Sequence, residues 1–488
     1  MLKRVQSFLF NNTTTRQTVI KNVVWLGISN FGGRFIRAII IVYGARILGA
    51  EGWGVFSYGV TLAAILTPFT DVGLSQFLIR ETAKNDDPAH RARVFSTTLS
   101  LKLVLLLLGV LIILVAAPWF TTIEEAKVIL PIIAFLLAFD TLREFGAAIT
   151  RALERMEWEA GLFLATNVAI VLAGFGFLLL SPTAESFTWG YTVGTGIGAA
   201  LTFVVLRGYI PRNLIASFSK RLVRPILSAA WPLSIASLLG ILMINTDILI
   251  IGWLRSAEEV GFYSAAYRVV QLLYLLPGIL ASSAFPTFSR LADNHRAQMR
   301  STLERTLAVV FIMALPLAAG GLLLAPQIIE LLFGSEFLPG TAPFQILMLT
   351  LLADFPVVVL AHAAFAYNRP KLLTAYAAIG GVLNVALDFL LIPSFGITGC
   401  AWATLIAQVC STAYLRRKVK QENPFSVLPR LSIAFTATAI MAGGVLLFMS
   451  IKLPVLLSVA LGAAIYGAVL YFLKEPSLRE AKQAIMHS

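Results

Sequence analysis

Basic side chains stand inside long apolar segments of this chain, where a charge is costly and therefore informative. Arg34 and Arg37 are three residues apart, in a segment that also carries Gly27, Gly32 and Gly33. On a helix this spacing puts both guanidinium groups on one face, and the glycines let a neighbouring helix or a ligand approach closely. A guanidinium stays charged and donates paired hydrogen bonds to phosphate or carboxylate. The pair indicates either an anion-binding site or ion pairs to another helix, and the sequence leaves both open.

Three further cations lie at similar depth. Arg268 falls in an apolar segment of the second half of the chain, and Lys102 is close enough to a segment end for its side chain to reach the interface. Asp140, Arg143 and Glu144 have the spacing of neighbours on one helix face, so Arg143 can be neutralised locally. The predicted lining of a cationic cavity consists of five residues: Arg34, Arg37, Lys102, Arg143 and Arg268.

Four acids are also predicted at membrane depth: Asp71, Asp140, Asp247 and Asp354. A carboxylate in hydrocarbon could load and release an ion during a transport cycle, or it could neutralise an arginine on another helix. Asp388 is predicted near a helix end, within reach of water. The histidine and cysteine spacings are not those of metal ligands, so we expect no metal site and no cofactor.

The elements that position these residues follow from composition. Of the 488 residues 58% are hydrophobic and 13% are charged, against about a quarter charged in an ordinary soluble domain. This composition predicts that most of the chain is embedded in lipid, which excludes a conventional cytosolic enzyme. The net charge of +13 is spread over short separate segments and does not form one patch, so nucleic acid is not an expected partner.

Transmembrane helices need about 20 apolar residues to cross a hydrocarbon core of about 30 Å. On that basis the sequence predicts an all-α polytopic membrane protein with fourteen spans. Spans 1 to 14 are placed at 20–44, 53–79, 95–117, 127–149, 158–180, 186–207, 226–252, 261–289, 305–332, 343–366, 372–392, 396–415, 430–450 and 453–473.

Lys and Arg accumulate in every second connection between these spans, beginning with the N-terminal segment. Cytoplasmic connections carry such an excess. We therefore predict a multi-pass protein of the cytoplasmic membrane with both termini on the cytoplasmic side. The cluster of Arg416, Arg417, Lys418 and Lys420 fits this orientation signal better than a lipid-recognition motif.

Two weak internal repeats relate the halves of the chain. Residues 51–57 are echoed by 258–264, and residues 154–156 by 368–370, each pair six spans apart in the same orientation. Pro68 interrupts span 2 and Pro277 interrupts span 8 at similar positions, so both are hinge candidates. The repeats predict two six-helix halves in parallel orientation, followed by two extra helices.

The predicted organisation has six parts. They are a cytoplasmic N-terminal segment at 1–18, an N-lobe at 19–208, a cytoplasmic linker at 209–225, a C-lobe at 226–418, spans 13 and 14 at 419–474 and a cytoplasmic tail at 475–488. Within span 6, Gly190, Gly194 and Gly198 stand four apart, a spacing typical of close helix packing.

Three stretches of the sequence resemble a known family. Residues 49–58 (GAEGWGVFSY), 71–75 (DVGLS) and 80–83 (RETA) are similar to the start of bacterial polysaccharide-repeat-unit flippases of the O-antigen type. That family belongs to the multidrug/oligosaccharidyl-lipid/polysaccharide exporter superfamily. The resemblance implies two six-helix lobes in a V shape around a cationic cavity that opens alternately to each side.

The same resemblance implies a function without bond chemistry. The chain would move a polyprenyl-pyrophosphate-linked oligosaccharide repeat unit from the cytoplasmic to the outer leaflet for surface polysaccharide synthesis. Its partners would be that lipid, the membrane lipids and the polysaccharide polymerase and chain-length machinery.

Two alternatives stay open at this point. An ion-coupled drug or metabolite antiporter of the same superfamily would be expected to line its cavity with acids and aromatic residues. A membrane polysaccharide polymerase or ligase would need a large outer loop, and every predicted outer loop is short.

Overall fold

We describe a computed structural model that covers residues 15–84, 87–210, 217–292 and 295–476. Most of the predicted N-terminal segment, part of the predicted linker and most of the predicted tail lie outside these residues. Within the described ranges every regular element is a helix, and no strand is present.

The first eight helices run to residue 254. They are α1 (Thr15–Asp71), α2 (Leu74–Lys84), α3 (Pro88–Leu111), α4 (Ala117–Phe120), α5 (Glu124–Ala152), α6 (Met156–Leu180), α7 (Ala184–Leu206) and α8 (Lys220–Leu254). A π-helical turn, Ile112–Ala116, joins α3 to α4.

Eight further helices follow. They are α9 (Ala257–Leu273), α10 (Leu275–Leu291), α11 (Arg296–Leu323), α12 (Ala325–Phe333), α13 (Thr341–Ala366), α14 (Lys371–Glu422), α15 (Ser432–Ser450) and α16 (Val455–Phe472). Short 3₁₀ turns, Ser335–Gly340 and Leu428–Arg430, precede α13 and α15.

Each predicted span falls on helical structure. Spans 2, 8 and 9 each run across a break between two helices, and span 3 includes the π-helical turn. Length and hydropathy alone select 10 candidate membrane spans among the described residues. Two of these, in α1 and α14, contain a kink and so hold two predicted spans each. The two predicted spans that these criteria do not select lie in the highly charged α5 and in the partly described α8. The prediction of an all-helical, multi-pass membrane protein is confirmed.

The two kinks fall at glycines with positive φ. Gly49 in α1 has φ 68°, and Gly396 in α14 has φ 57°. An L-residue with a side chain rarely adopts this conformation, so glycine permits the chain to turn sharply there. The turn at Gly396 joins spans 11 and 12 directly.

The helices with the predicted hinge prolines are both discontinuous. Pro68 lies just before the end of α1, where Val72 and Gly73 adopt positive φ before α2 begins. Pro277 lies in the first turn of α10, directly after the break at Tyr274. A hinge role for the two prolines stays a prediction.

The second internal repeat has a common geometry in the structure. Glu154 after α5 and Asn368 after α13 have φ of 56° and 54°. The amides of Arg155 and Arg369 each bond to a carbonyl five residues earlier, at 2.9 Å in both cases. This is the Schellman arrangement of helix ends, which also follows α15 at Lys452 and α16 at Lys474. The internal repeat therefore stays a prediction.

The contacts divide the chain into two compact units. The first comprises residues up to 241 together with 255–260, and the second comprises 242–254 together with the residues from 261 onwards. In the first unit α7 packs on α5 and α6, and α6 packs on α1. In the second unit α13 packs on α11 and α14, and α15 pairs with α16.

The glycines of α7 let its backbone approach that of α6 closely, as their spacing predicts. A Cβ atom on Gly194 would lie 2.4 Å from the Cα of Ile170 in α6, and one on Gly190 would lie 2.8 Å from the carbonyl oxygen of Ala173. Because the obstructing atoms are backbone atoms, side-chain rotation cannot relieve either clash.

Gly194→Ala is therefore expected to destabilise the first unit by about 1 to 3 kcal/mol, the usual cost of overpacking. Gly176→Ala is the matched control, since a Cβ there meets no atom within 4 Å and helical glycine is less favourable than alanine. Thermal melting in detergent should place the two variants on opposite sides of the wild type. Equal melting temperatures would contradict the packing described.

The last two helices are held against α11. Ala437, Met441 and Val445 of α15 form a buried apolar cluster with Tyr466 and Leu470 of α16. Partly buried side chains of α11 pack on this cluster, and the Tyr466 hydroxyl donates a 2.7 Å hydrogen bond to the Ile312 carbonyl. The pair is thus an integral part of the second unit.

Candidate functional site

A cavity of about 380 Å³ opens inside the first unit beside Arg34. Arg34 reaches it from α1, Arg143 and Arg151 from α5, and Glu159 from α6. Ser29, Leu162 and Thr202 complete much of the wall. Glu144 of α5 also lines it, so the cavity combines three guanidinium groups with two carboxylates.

Carboxylates neutralise two of the three arginines. Arg143 pairs with Asp140 at 2.8 Å and with Glu144 at 2.6 Å, as the helical spacing predicts. Arg151 donates from two nitrogens to Glu159, from Nε to Oε2 at 3.0 Å and from Nη2 to Oε1 at 2.5 Å, which makes a bidentate pair. Arg34 forms no ion pair with any described residue, and its side chain is exposed. Arg34 is consequently the group in this cavity wall that can accept an external anion.

Arg37 is oriented by α6 and α7. Its Nε donates a 2.7 Å hydrogen bond to the Asn167 side-chain oxygen, and its guanidinium lies 5.7 Å from the Tyr191 ring centroid. Gly33 makes this packing possible, because a Cβ there would come within 2.5 Å of Phe163 and 2.8 Å of the Asn167 amide. The hydrogen bond and the ring fix Arg37 without cancelling its charge, so α1 presents two positive groups one turn apart.

Lys102 is placed differently from the prediction of a cavity-lining residue. It is buried in α3, forms an ion pair with Asp71 at the end of α1, and lies 5.6 Å from the Phe145 ring centroid. Its side chain is 2% exposed, so it does not extend to the interface. Lys102 and Asp71, both predicted as functional charges, neutralise each other in this structure.

Lys102→Met is expected to lower stability by about 3 kcal/mol, because it leaves the Asp71 carboxylate without its cation. The double variant Lys102→Met/Asp71→Asn should regain more than half of the lost stability, because no carboxylate is then left without its cation. Lys127→Met is the control, because that lysine forms an exposed pair with Glu124 and such pairs contribute at most about 1 kcal/mol. Thermal melting of the four proteins would test this, and a double variant no better than the single one would refute it.

The remaining predicted residues belong to the second unit. Arg268 is partly buried in α9, near Tyr267. Asp354 lies in α13, where its Oδ2 is buried and has no hydrogen-bond partner among the described residues. The structure therefore distributes the five predicted cations over both units, and only Arg34 and Arg143 line the cavity of the first.

A buried polar cluster in the second unit centres on Asp247 of α8. Its Oδ2 accepts hydrogen bonds from the Tyr263 hydroxyl and, at 2.7 Å, from the Thr404 hydroxyl. Asp388 lies next to it, and ligand atoms of Asp247, Asp388 and Cys400 all fall within 4.8 Å of one another. The expectation that water reaches Asp388 is wrong, because that residue is fully buried.

The fold of α14 brings this cluster together. Asn384 and Asp388 stand one turn apart before the kink at Gly396, and Cys400 and Thr404 stand one turn apart after it. Both oxygens of Asp388 and the Oδ1 of Asp247 are buried without a hydrogen-bond partner in the described part of the chain. Neither acid forms an ion pair with a described lysine or arginine.

Two neighbouring carboxylates in low dielectric cannot both stay charged without a compensating charge. Apart from the Cys400 thiol, the surrounding ligand atoms are carboxylate, hydroxyl and amide oxygens, which suit a hard cation. Protonation of one acid is the other way to remove the repulsion. Sequence spacing could not reveal the cluster, since its members are separated by up to 157 residues.

The described residues include ten helices that are long and apolar enough to span a membrane, and both helical units hold buried polar groups. These features define the class as a multi-pass membrane protein. The chain belongs to the family described as polysaccharide biosynthesis protein, whose sequence model matches residues 19–292. A second family model, MatE, matches residues 232–390.

Curated relatives cover most of the chain. A probable low-salt glycan biosynthesis flippase of Haloferax volcanii is 26% identical over 395 residues, which are 80% of this chain and 81% of the relative. A putative O-antigen transporter of Shigella flexneri is 24% identical over 407 residues, covering 79% of this chain and 93% of the relative.

Solved structures share the fold. The lipid II flippase MurJ in an inward closed conformation superposes with a TM-score of 0.74 at 17% identity, over 93% of this chain and 99% of that one. An inward-facing multidrug resistance transporter of the MATE family gives a TM-score of 0.61 at 13% identity, over 86% of this chain and 98% of that one.

Proposed function

We propose that this protein is a flippase that moves a polyprenyl-pyrophosphate-linked oligosaccharide from the cytoplasmic to the outer leaflet by alternating access. The observation that carries the proposal is Arg34, an exposed arginine without a carboxylate partner among the described residues, at a cavity inside a membrane-embedded unit. The pyrophosphate of such a lipid cannot cross hydrocarbon unaided, and guanidinium groups bind it through paired hydrogen bonds.

The relatives support this substrate class. Two of them are named as a glycan biosynthesis flippase and as an O-antigen transporter, and neither name implies bond chemistry. We therefore propose a transporter without catalytic activity, which delivers its product to polysaccharide polymerase and chain-length machinery. The alternation of basic segments supports the cytoplasmic membrane and cytoplasmic termini.

We further propose that Asp247 and Asp388 form the ion-coupling site. Two adjacent buried carboxylates hold a cation or a proton in one state and release it when the helices that surround them rearrange. Of the remaining predicted candidates, Asp71 and Asp140 already have cationic partners, and Asp354 lies outside the cluster of Asp247, Asp388 and Cys400.

Transbilayer movement of a fluorescent polyprenyl-pyrophosphate oligosaccharide in liposomes tests the flippase proposal. Purified protein should make the label accessible to an impermeant quencher, whereas protein-free liposomes should not. A cationic dye is the second substrate in the same assay. Export of the dye without movement of the lipid would replace the flippase by the drug-antiporter alternative, which the MatE match makes the appropriate comparison.

A further inference from the structure

An apolar cavity of about 460 Å³ lies inside the second unit, and none of its lining residues belongs to the Asp247 cluster. Its walls are α11, α13, the second arm of α14 and the connection between α14 and α15. Apart from Thr412 and Arg416 its lining is apolar, with Phe311, Leu352 and Val409 among the contributing side chains. Such a space inside a membrane protein suits a hydrocarbon chain.

A second cavity, an open surface depression of about 390 Å³, adjoins the first along α14. The two share Ala413 and Arg416, and the second adds Arg417, Lys420 and Gln421. One face of α14 thus changes from apolar to basic at Ala413. Because a helix rises 1.5 Å per residue, the apolar part from Leu405 to Ala413 extends about 12 Å.

The cations of this face are available to a ligand. Arg416, Arg417 and Lys420 are exposed, and none of them forms an ion pair with a residue that the structure describes. Thr412 stands one helical turn before Arg416, at the boundary between the two parts. Its hydroxyl is buried and has no hydrogen-bond partner in the described ranges.

The connection between α14 and α15, residues 423–431, covers the cavity, and we call it the strap. Phe425 and Leu431 turn inward and are buried. Glu304 of α11 holds the strap, because it accepts hydrogen bonds from the Ser426 amide at 2.9 Å and from Arg430 at 3.4 Å. Hydrogen bonds to α11 therefore hold this wall of the cavity in place.

We propose that this composite cavity binds an anionic phospholipid of the cytoplasmic leaflet, with its phosphate on Arg416, Arg417 and Lys420 and an acyl chain in the apolar part. The Thr412 hydroxyl is placed to meet the ester or glycerol oxygens between the two. Charge complementarity selects the anionic head, and the adjoining apolar cavity selects a lipid over a free phosphate. The site is separate from the proposed transport and ion-coupling groups, so it does not rest on the flippase proposal.

Native mass spectrometry of the full-length protein, titrated with phosphatidylglycerol, tests the proposal. Each surface cation contributes about 1 kcal/mol to binding an anionic lipid, so Arg416→Ala/Arg417→Ala/Lys420→Ala should weaken binding about 100-fold. The matched control is Lys220→Ala/Arg221→Ala/Arg224→Ala, which removes three exposed cations that line neither cavity. That control should bind phosphatidylglycerol as the wild type does.

The apolar part has its own variant. Ala413→Trp fills the junction of the two cavities and should also abolish binding, whereas Cys410→Trp, at an exposed position of the same helix outside both cavities, should not. All variants change exposed positions, and melting curves identify any that fail to fold.

A second lipid and a soluble phosphate show whether the site binds an anionic lipid or a free phosphate. Phosphatidylglycerol should bind at least tenfold more tightly than phosphatidylcholine, and glycerol phosphate should not compete. Equal binding of phosphatidylcholine, competition by glycerol phosphate, or equal losses in the two triple variants would each overturn the proposal.

Discussion

Arg34→Ala is expected to slow the flipping of a pyrophosphate-linked oligosaccharide by about 30- to 150-fold. The reason is the loss of charge-assisted hydrogen bonds to the pyrophosphate, which contribute roughly 2 to 3 kcal/mol. Arg34→Lys keeps the charge and loses the paired donors, so its defect should be intermediate. The measurement is the initial rate of transbilayer movement in liposomes with equal amounts of reconstituted protein.

The structure distinguishes this loss from misfolding. Arg34 forms no ion pair with a described residue, so its removal leaves no carboxylate uncompensated, and the melting temperature should stay within about 2 °C of the wild type. Arg207→Ala, which changes an exposed arginine outside the cavity, should transport normally. Normal transport by Arg34→Ala would remove the anion-binding role of the cavity.

Asp388→Asn is expected to abolish the response of the protein to the coupling cation. In the wild type a cation bound between Asp247 and Asp388 stabilises the folded state, by about 2.7 kcal/mol at a hundred times its Kd. Melting curves in sodium, potassium and choline salts, and at lowered pH in choline, show which cation does so. The variant has one carboxylate fewer at the cluster, so its melting temperature should be independent of that cation.

Transport provides the second readout for Asp388→Asn. Its flipping rate should no longer depend on an imposed gradient of the same cation, whereas Asp354→Asn, which changes an acid outside the cluster, should keep the dependence. An unchanged cation response in Asp388→Asn would show that the buried pair is structural.

The helices could be located from sequence because membrane insertion is decided by local composition. About twenty apolar residues suffice to define a span, whatever they later contact. The glycines of span 6 were equally informative, since four-residue spacing marks one helix face. Kinks such as that at Gly396 did not disturb the prediction, because apolar segments lie on both sides of them.

The sequence predicted the contacts of a functional residue only where its partner lies on the same helix. Arg143 pairs with Asp140 on its own helix, as the three-residue spacing predicts. Lys102 and Asp71 lie 31 residues apart, on different helices, so nothing in the sequence joins them. Asp388 was misplaced for the same reason: its environment is created by α8 and by the second arm of α14, which only the tertiary structure brings together.

The docking of α15 and α16 on α11 bears on how such a chain can gain or lose helices in evolution. A shorter version that ended after α14 would release the Ile312 carbonyl of α11 from the Tyr466 hydroxyl, and a backbone carbonyl without a partner is costly in hydrocarbon. It would also remove the strap that Glu304 holds. Deletion of the last two helices would thus require compensating changes in α11, so the loss of this pair cannot be a single neutral step.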